Sequence, residues 1–225
     1  IGIGLARAEN LIENTQNALL INPNNPLAHA VQGWALSFQN EDLQAEAAAK
    51  KALELDPNNA LAHAYYAEIL LNKEDFGDLD KAIEHSKTAR ELDPSLLETH
   101  RARGLVLLNT QNIDEAIDEL KAAIAINDKI ANLHLNLGFA YRVRGDNDLA
   151  VEELLTAFAL NPSSPEAPTE ISLAYANEGQ FGKAVQYAEQ SVKVDPTNPR
   201  LHGNLGVMYY RNQELDKAIN QLALV

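Results

Sequence analysis

The chain has no cysteine among its 225 residues, which excludes disulfides, thiolate metal sites and a cysteine nucleophile. No apolar run approaches the roughly 18 residues that a membrane-spanning helix needs, so no membrane insertion is expected. Basic residues are scarce: 18 Lys and Arg stand against 32 Asp and Glu, for a net charge of −14. A phosphate backbone is gripped by basic side chains, so nucleic acid is not an expected partner, and anionic lipid would repel such a chain. Methionine occurs once, at Met208, and residue 1 is Ile, which is read as the mark of a fragment. No glycosylation sequon is usable, because Asn161 is followed by Pro162.

What is present is an ordinary globular mixture, 46% hydrophobic and 22% charged, which excludes collagen, mucin and wholesale disorder. Within it an Asn-Pro or Asp-Pro doublet recurs, with its proline at Pro23, Pro57, Pro94, Pro162 and Pro196. The intervals are 34, 37, 68 and 34 residues. The 68 is two periods, with Asp128 where a proline is missing, and the 37 is one period plus three residues around Asp75–Asp78. A 34-residue period points to an array of helix-turn-helix units.

Counting each unit from Pro26, Ala60, Leu97, Ala131, Pro165 and Pro199, place 8 is Gly33, Ala67, Gly104, Gly138, Ser172 and Gly206. Allowing for the insertion, place 20 is Ala45, Ala82, Ala116, Ala150, Ala184 and Ala218. Place 27 is Ala52, Ala89, Ala123, Ala157 and Ser191, then Val225 at the last position. Place 11 is Leu36, Leu70, Leu107, Tyr141, Tyr175 and Tyr209. Small residues at places 8, 20 and 27 let two antiparallel helices approach closely, and large ones at places 11 and 24 fill the gaps. Ala150, Leu154, Ala157 and Phe158 line one helix at helical spacing. The proline stops the second helix and sets the turn into the next unit.

These places, and the stretch LHLNLGFAYRVRGDNDLAVEELLTAFALNP at 133–162 above all, resemble the tetratricopeptide repeat family over nearly the whole chain. The resemblance implies an all-α fold, a right-handed superhelical α-solenoid of stacked helix-turn-helix repeats. One array is expected over 1–225. A partial repeat fills 1–23, mostly a second helix from about Ala6 to Ile21, with Gly2 to Gly4 as a frayed end. Five repeats occupy 26–59, 60–96, 97–130, 131–164 and 165–198, and a truncated one 199–225. Three departures are expected to matter. Asp128 should loosen its turn. Pro168, following Pro165, should delay or tilt the first helix of its repeat. Arg103, at a usually apolar place, should snorkel out or find a carboxylate.

Chemistry is sparse. Five of the six histidines stand at place 4 (His29, His63, His100, His134 and His202). Stacked helices lie roughly 8–10 Å apart, whereas zinc needs every nitrogen at about 2.0–2.1 Å, so a packing role is expected for this row and no metal. Asp75, Asp78 and Asp80, and Asp146 with Asp148, lack the twelve-residue calcium-loop pattern. They are read as acids capping second helices at their positive ends. Gly2-Ile3-Gly4 is no phosphate loop, and no Gly-x-Ser-x-Gly nucleophile motif occurs. No catalytic site and no cofactor are expected, and the chain is read as not an enzyme.

The surface is more informative. First helices taken as 27–39, 61–73, 98–110, 132–144, 166–178 and 200–212 carry seven bases and five acids, +2, leaving −16 elsewhere. In the family these helices line a concave groove that holds extended peptides, with places 2, 5, 9, 12 and 13 facing it. By that resemblance the candidate groove residues are Trp34, Phe38, Arg101, Leu105, Asn109, Leu135, Phe139, Arg142, Leu173, Asn177, Val207, Tyr210 and Arg211. Apolar anchors interleaved with arginine suit a protein or peptide partner that is acidic and carries apolar anchors, since guanidinium matches carboxylate bidentately. The competing reading is that these arginines are solvated or pair with nearby glutamates. The family's carboxylate clamp is absent, because Ala30, Ala64, Trp34 and Glu68 occupy its places, and only Asn136 and Asn204 match an asparagine ladder. The expected function is a protein–protein interaction scaffold. The alternatives are a self-assembling module forming a homo-oligomer, or an accessory domain of an enzyme whose catalytic part lies elsewhere.

Overall fold

A computed structural model describes residues 2–72 and 78–225. Thirteen helices and no strand occur among them. The chain divides into two compact units, Ile1–Ile126 and Asn127–Val225. The first holds α1 (Gly2–Ile21), α2 (Pro26–Ser37), α3 (Asp42–Leu55), α4 (Ala60–Asn72), α5 (Leu79–Leu92), α6 (Leu97–Asn109) and α7 (Ile113–Ile126). The second holds α8 (Ala131–Arg144), α9 (Asn147–Leu160), α10 (Glu166–Asn177), α11 (Phe181–Val194), α12 (Pro199–Arg211) and α13 (Leu215–Leu222). Successive helices pair as hairpins, α2 with α3 through to α12 with α13, giving the helical-hairpin solenoid expected.

The small-residue places are where each hairpin closes. A Cβ on Gly33 would stand 2.7 Å from the Ala45 carbonyl oxygen, and one on Gly138 would stand 2.6 Å from Leu154 Cγ and 3.1 Å from the Ala150 oxygen. Where place 8 is Ser172, its hydroxyl instead donates to the Ala184 carbonyl at 2.7 Å. Leu120 and Leu154 are fully buried beside these contacts, and burying one such side chain is worth about 1.5–3 kcal/mol. The close approach therefore admits branched side chains between the helices while leaving no room for one more carbon.

Both kinds of turn have local causes. Between first and second helix the chain passes through a left-handed residue at place 15: Asn40, Gln111 and Gln213 (φ 60°, 59° and 64°), Gly145 (101°) and Gly179 (72°). Only two are glycine, so the sequence pattern hides this requirement; asparagine and a few polar residues tolerate the region at modest cost. Between repeats the Asn or Asp that precedes the proline, or Asp128 in its place, folds back on its own backbone. Asn22, Asp56, Asp93, Asn127 and Asp195 accept from the N–H two residues on, at 2.9–3.3 Å. This Asx turn suits the proline that follows. Hydrogen bonds from Ser95 hold Asp93 below the usual carboxylate range. Asn25, Asn59 and Asn198 then cap α2, α4 and α12.

Several expectations need correction. α1 begins at Gly2, so Gly2 to Gly4 form its first turn and not a frayed end. Asp78 and Asp146 stand at the N-caps of α5 and α9 without a capping hydrogen bond. Their carboxylates turn to Lys81 and Arg144, so they meet the helix ends by charge alone. Asp75 lies outside the described residues. Among the described residues Arg103 has no carboxylate partner and donates to Ser86 Oγ at 3.4 Å. The Asp128 carbonyl accepts from His134 at 2.9 Å, as a proline carbonyl does in the four other repeats that carry the histidine, so the missing proline leaves that contact intact. α10 does start late, at the second place of its repeat, with Pro165 as N-cap.

Candidate partner-binding face

In the first unit the face of α2, α4 and α6 is built around a charge. Arg101 on α6 donates from Nε to Glu68 Oε1 at 2.8 Å and from Nη2 to Oε2 at 3.2 Å. Trp34 on α2 donates from its indole to the same Oε2 at 2.8 Å. Trp34 stacks on Tyr65 at 4.9 Å, Phe38 meets it edge-on at 4.8 Å, and the guanidinium lies 5.0 Å from the Trp34 ring. Burial works against the charge on Arg101, but Glu68 outweighs it and holds the guanidinium pKa above its usual value. Burial also pushes the Tyr65 phenol up to about 12. Of the residues expected to meet a partner here, Trp34 and Arg101 are thus already satisfied, and Asn109 donates to the Leu105 carbonyl of its own helix. Phe38 remains 44% exposed. Glu68 and Tyr65 were not among the candidates. The signal was there: Trp34 and Glu68 are 34 residues apart, so equivalent places on successive first helices are neighbours.

In the second unit the face of α8, α10 and α12 is more open. Arg142 pairs with Glu170 at 2.6 Å and lies 5.2 Å from the Phe139 ring, so for it, as for Arg101, the pairing alternative holds. Asn177 donates to Asn147 at 3.4 Å. Leu135 lines a small recess with Asn132, Ala157, Asn161 and Ala167, and Phe139 and Leu173 are half-buried. On α12, Val207 is 45% and Tyr210 63% exposed. Arg211 is exposed beside them, and among the described residues it has no ion-pair partner. No acid occurs on α12.

The histidine row has a common geometry. In all five repeats that carry it, Nε2 lies 2.9–3.0 Å from the carbonyl six residues earlier. A carbonyl only accepts, so Nε2 bears the hydrogen and is not free for a metal. Nδ1 points across the hairpin, to Glu119 from His100 and to Glu153 from His134, both at 2.6 Å. From His202 it points to Gln221 at 2.7 Å, and from His63 to His85 at 2.8 Å. Among the described residues no three His, Asp or Glu converge as a metal-holding group, no buried side-chain nitrogen or oxygen lacks a hydrogen-bond partner, and no helix is long and apolar enough to cross a membrane.

Helical hairpins closed by small residues, joined by Asx-Pro turns and presenting neighbouring first helices side by side within each unit define a solenoid of the kind that serves as a protein–protein interaction scaffold. Sequence profiles described as tetratricopeptide repeat match residues 28–59, 48–84, 75–129, 101–168 and 169–225, and the chain belongs to that family. No curated protein matches it. Among solved structures it is similar to MamA, with 26% identity over 66% of this chain and 86% of that one and a TM-score of 0.60. It is also similar to YrrB, a TPR protein with an unusual peptide-binding site, with 25% identity over 78% and 89% and a TM-score of 0.59. PilF of Pseudomonas aeruginosa shares the fold, with 21% identity over 87% and 88% and a TM-score of 0.70.

Proposed function

We propose that the chain is a non-catalytic scaffold that holds a protein or peptide segment against its first helices, and that the face of the second unit does most of the holding. The observation that carries this is the contrast between α6 and α12. The α6 guanidinium of Arg101 is spent on Glu68 within the fold. α12 instead presents Val207, Tyr210 and Arg211 to solvent, on a helix without an acid in a strongly acidic chain. An aromatic anchor beside a free guanidinium suits a partner that carries an apolar side chain and a carboxylate. The surrounding negative charge steers such a partner to that spot. The likeness to YrrB, itself described as having a peptide-binding site, supports the reading.

The test is affinity for a peptide selected against the chain. Tyr210→Ala should cost about 1–3 kcal/mol of binding as a central aromatic anchor. Arg211→Ala, on an exposed rim, should cost less and act mainly on the salt-dependent association rate. If both leave affinity unchanged while charge reversal on α9 or α11 abolishes it, the partner sits on the second helices and the proposal fails. Self-assembly is the second reading, favoured by the exposed Leu215, Ile219 and Leu222 on α13. Light scattering that gives the monomer mass at every concentration would remove it.

A further inference from the structure

Three repeats set an acceptor opposite the place-4 histidine: Glu119, Glu153 and Gln221. Repeat 60–96 alone sets a second imidazole there. His63 Nδ1 and His85 Nδ1 stand 2.8 Å apart, with the ring centroids at 5.0 Å. The other nitrogen of His63 is committed to the Pro57 carbonyl at 3.0 Å, so Nδ1 is the nitrogen left to meet His85. Two nitrogens at this distance share one hydrogen: one donates and the other must offer a lone pair. A first added proton is accommodated as an N–H donating to a neutral ring. A second sets N–H against N–H and cation against cation, and the hydrogen bond is lost. Opposite Glu119 and Glu153 the chemistry has the reverse sign. There Nε2–H is already donated to a carbonyl, so the contact with the carboxylate requires the very proton that acid supplies.

We propose that the His63–His85 pair is an acid-sensitive latch between α4 and α5, closed while it carries at most one proton and released by the second. Among the described residues no carboxylate is hydrogen-bonded to either ring, while Glu84 favours a proton on His85 and Lys81 disfavours it. Lys81 and Glu84 lie on α5, and Asp78 is paired with Lys81. From α3, Glu46 accepts from Tyr66, whose ring packs 4.6 Å from His85, and is itself paired with Lys50. From α6, Arg103 reaches Ser86, the neighbour of His85, while Glu98 acts on Tyr65 and Arg101. α2 carries no charged residue besides His29. Burial, and then the proximity of His63, lower the His85 pKa from 6.5 to about 4. A base whose folded pKa is depressed contributes its stability fully above the unfolded value. That contribution is lost as pH falls from 6.5 to about 4.

Release has a destination. α4 is buried from Ala62 to Leu70 and carries both Tyr65 and Glu68, the two supports of the only tryptophan, Trp34. Loosening α4 from α5 therefore dismantles the aromatic face of the first unit and leaves the α8–α9 hairpin as an internal control.

The experiment is hydrogen exchange with the intrinsic rate corrected for pH, from 7.5 to 4, together with Trp34 emission. Protection of α4 and α5 should fall roughly tenfold per pH unit below 6.5, the slope of one proton, with Trp34 emission shifting in parallel and with α8–α9, whose His134–Glu153 contact has the reverse sign, not opening over that window. His85→Gln copies the His202–Gln221 contact and should abolish the extra slope. His85→Glu copies His100–Glu119 and should reverse it. A His85→Gln variant with the wild-type slope, or an α8–α9 hairpin that opens over the same window by the same factor, overturns the latch. Should neither variant fold, imidazole nitrogen shifts of the unaltered chain decide: a pair in which one of the two rings stays neutral to below pH 5 supports the latch, and a pair in which both rings titrate near 6.5 refutes it.

Discussion

Replacing Gly33 by alanine tests the packing rule where the nearest neighbour is backbone. The new Cβ would lie 2.7 Å from the Ala45 carbonyl oxygen, 3.1 Å from Ala49 N and 3.4 Å from Ala48 Cβ. Ordinary contact begins at 3.4 Å, so the carbonyl is short by 3.4 − 2.7 = 0.7 Å. Two of the three neighbours are helix backbone, which cannot rotate away, so α2 and α3 must separate. Alanine gains about 1 kcal/mol over glycine in a helix interior, while overpacking costs about 1–3 kcal/mol. Backbone crowding puts this case in the upper part of that range, for a net loss of roughly 1–2 kcal/mol, a factor of about 5–30 in local opening. Gly104→Ala is the matched control, because its Cβ would meet the Leu120 side chain at 2.9 and 3.1 Å, and a side chain can shift. It should lose less. Repeat arrays need not melt as one unit, so the measurement is amide exchange across α2–α3 and α6–α7 beside a thermal scan. A Gly33→Ala protein as stable as the parent, or less perturbed than Gly104→Ala, would refute the reasoning.

Other outcomes follow from the same contacts. Glu68→Ala strands Arg101, whose side chain is only 13% exposed, and removes the acceptor of Trp34. Breaking a buried pair costs about 3–5 kcal/mol, and an unchanged denaturation midpoint and Trp34 emission would contradict it. Ala150→Leu should cost roughly 1–3 kcal/mol by overpacking the hairpin at Gly138, checked by thermal melting. Arg142 and Glu170, about one-fifth exposed, should show a double-mutant coupling of roughly 0.5–1 kcal/mol that salt weakens; zero coupling at low salt would remove the pair. Calorimetry should show no tight stoichiometric zinc or calcium, since the place-4 histidines spend Nε2 on carbonyls.

The period, the hairpins and the all-α family were legible in the sequence because they rest on local rules. Proline stops a helix, Asx folds back over the following turn, and small residues recur at places 8, 20 and 27. The 34-residue spacing even encoded which first-helix places touch, as Trp34 and Glu68 do. Two things were not legible. The left-handed place 15 is filled by Asn, Gln or Gly, so a backbone constraint shared by the repeats leaves no single residue type behind. The state of each charge was also hidden. Arg101, Arg142 and Arg211 look alike along the chain, yet one is bound bidentately beneath an aromatic stack, one is paired near the surface and one is exposed. The row of histidines, uniform in sequence, divides by what stands nineteen residues on, or twenty-two where the insertion falls: a carboxylate, an amide or a second imidazole. Composition sets how many charges there are. Which of them neutralise one another depends on distances of a few ångströms between different helices, and only the packed structure decides those.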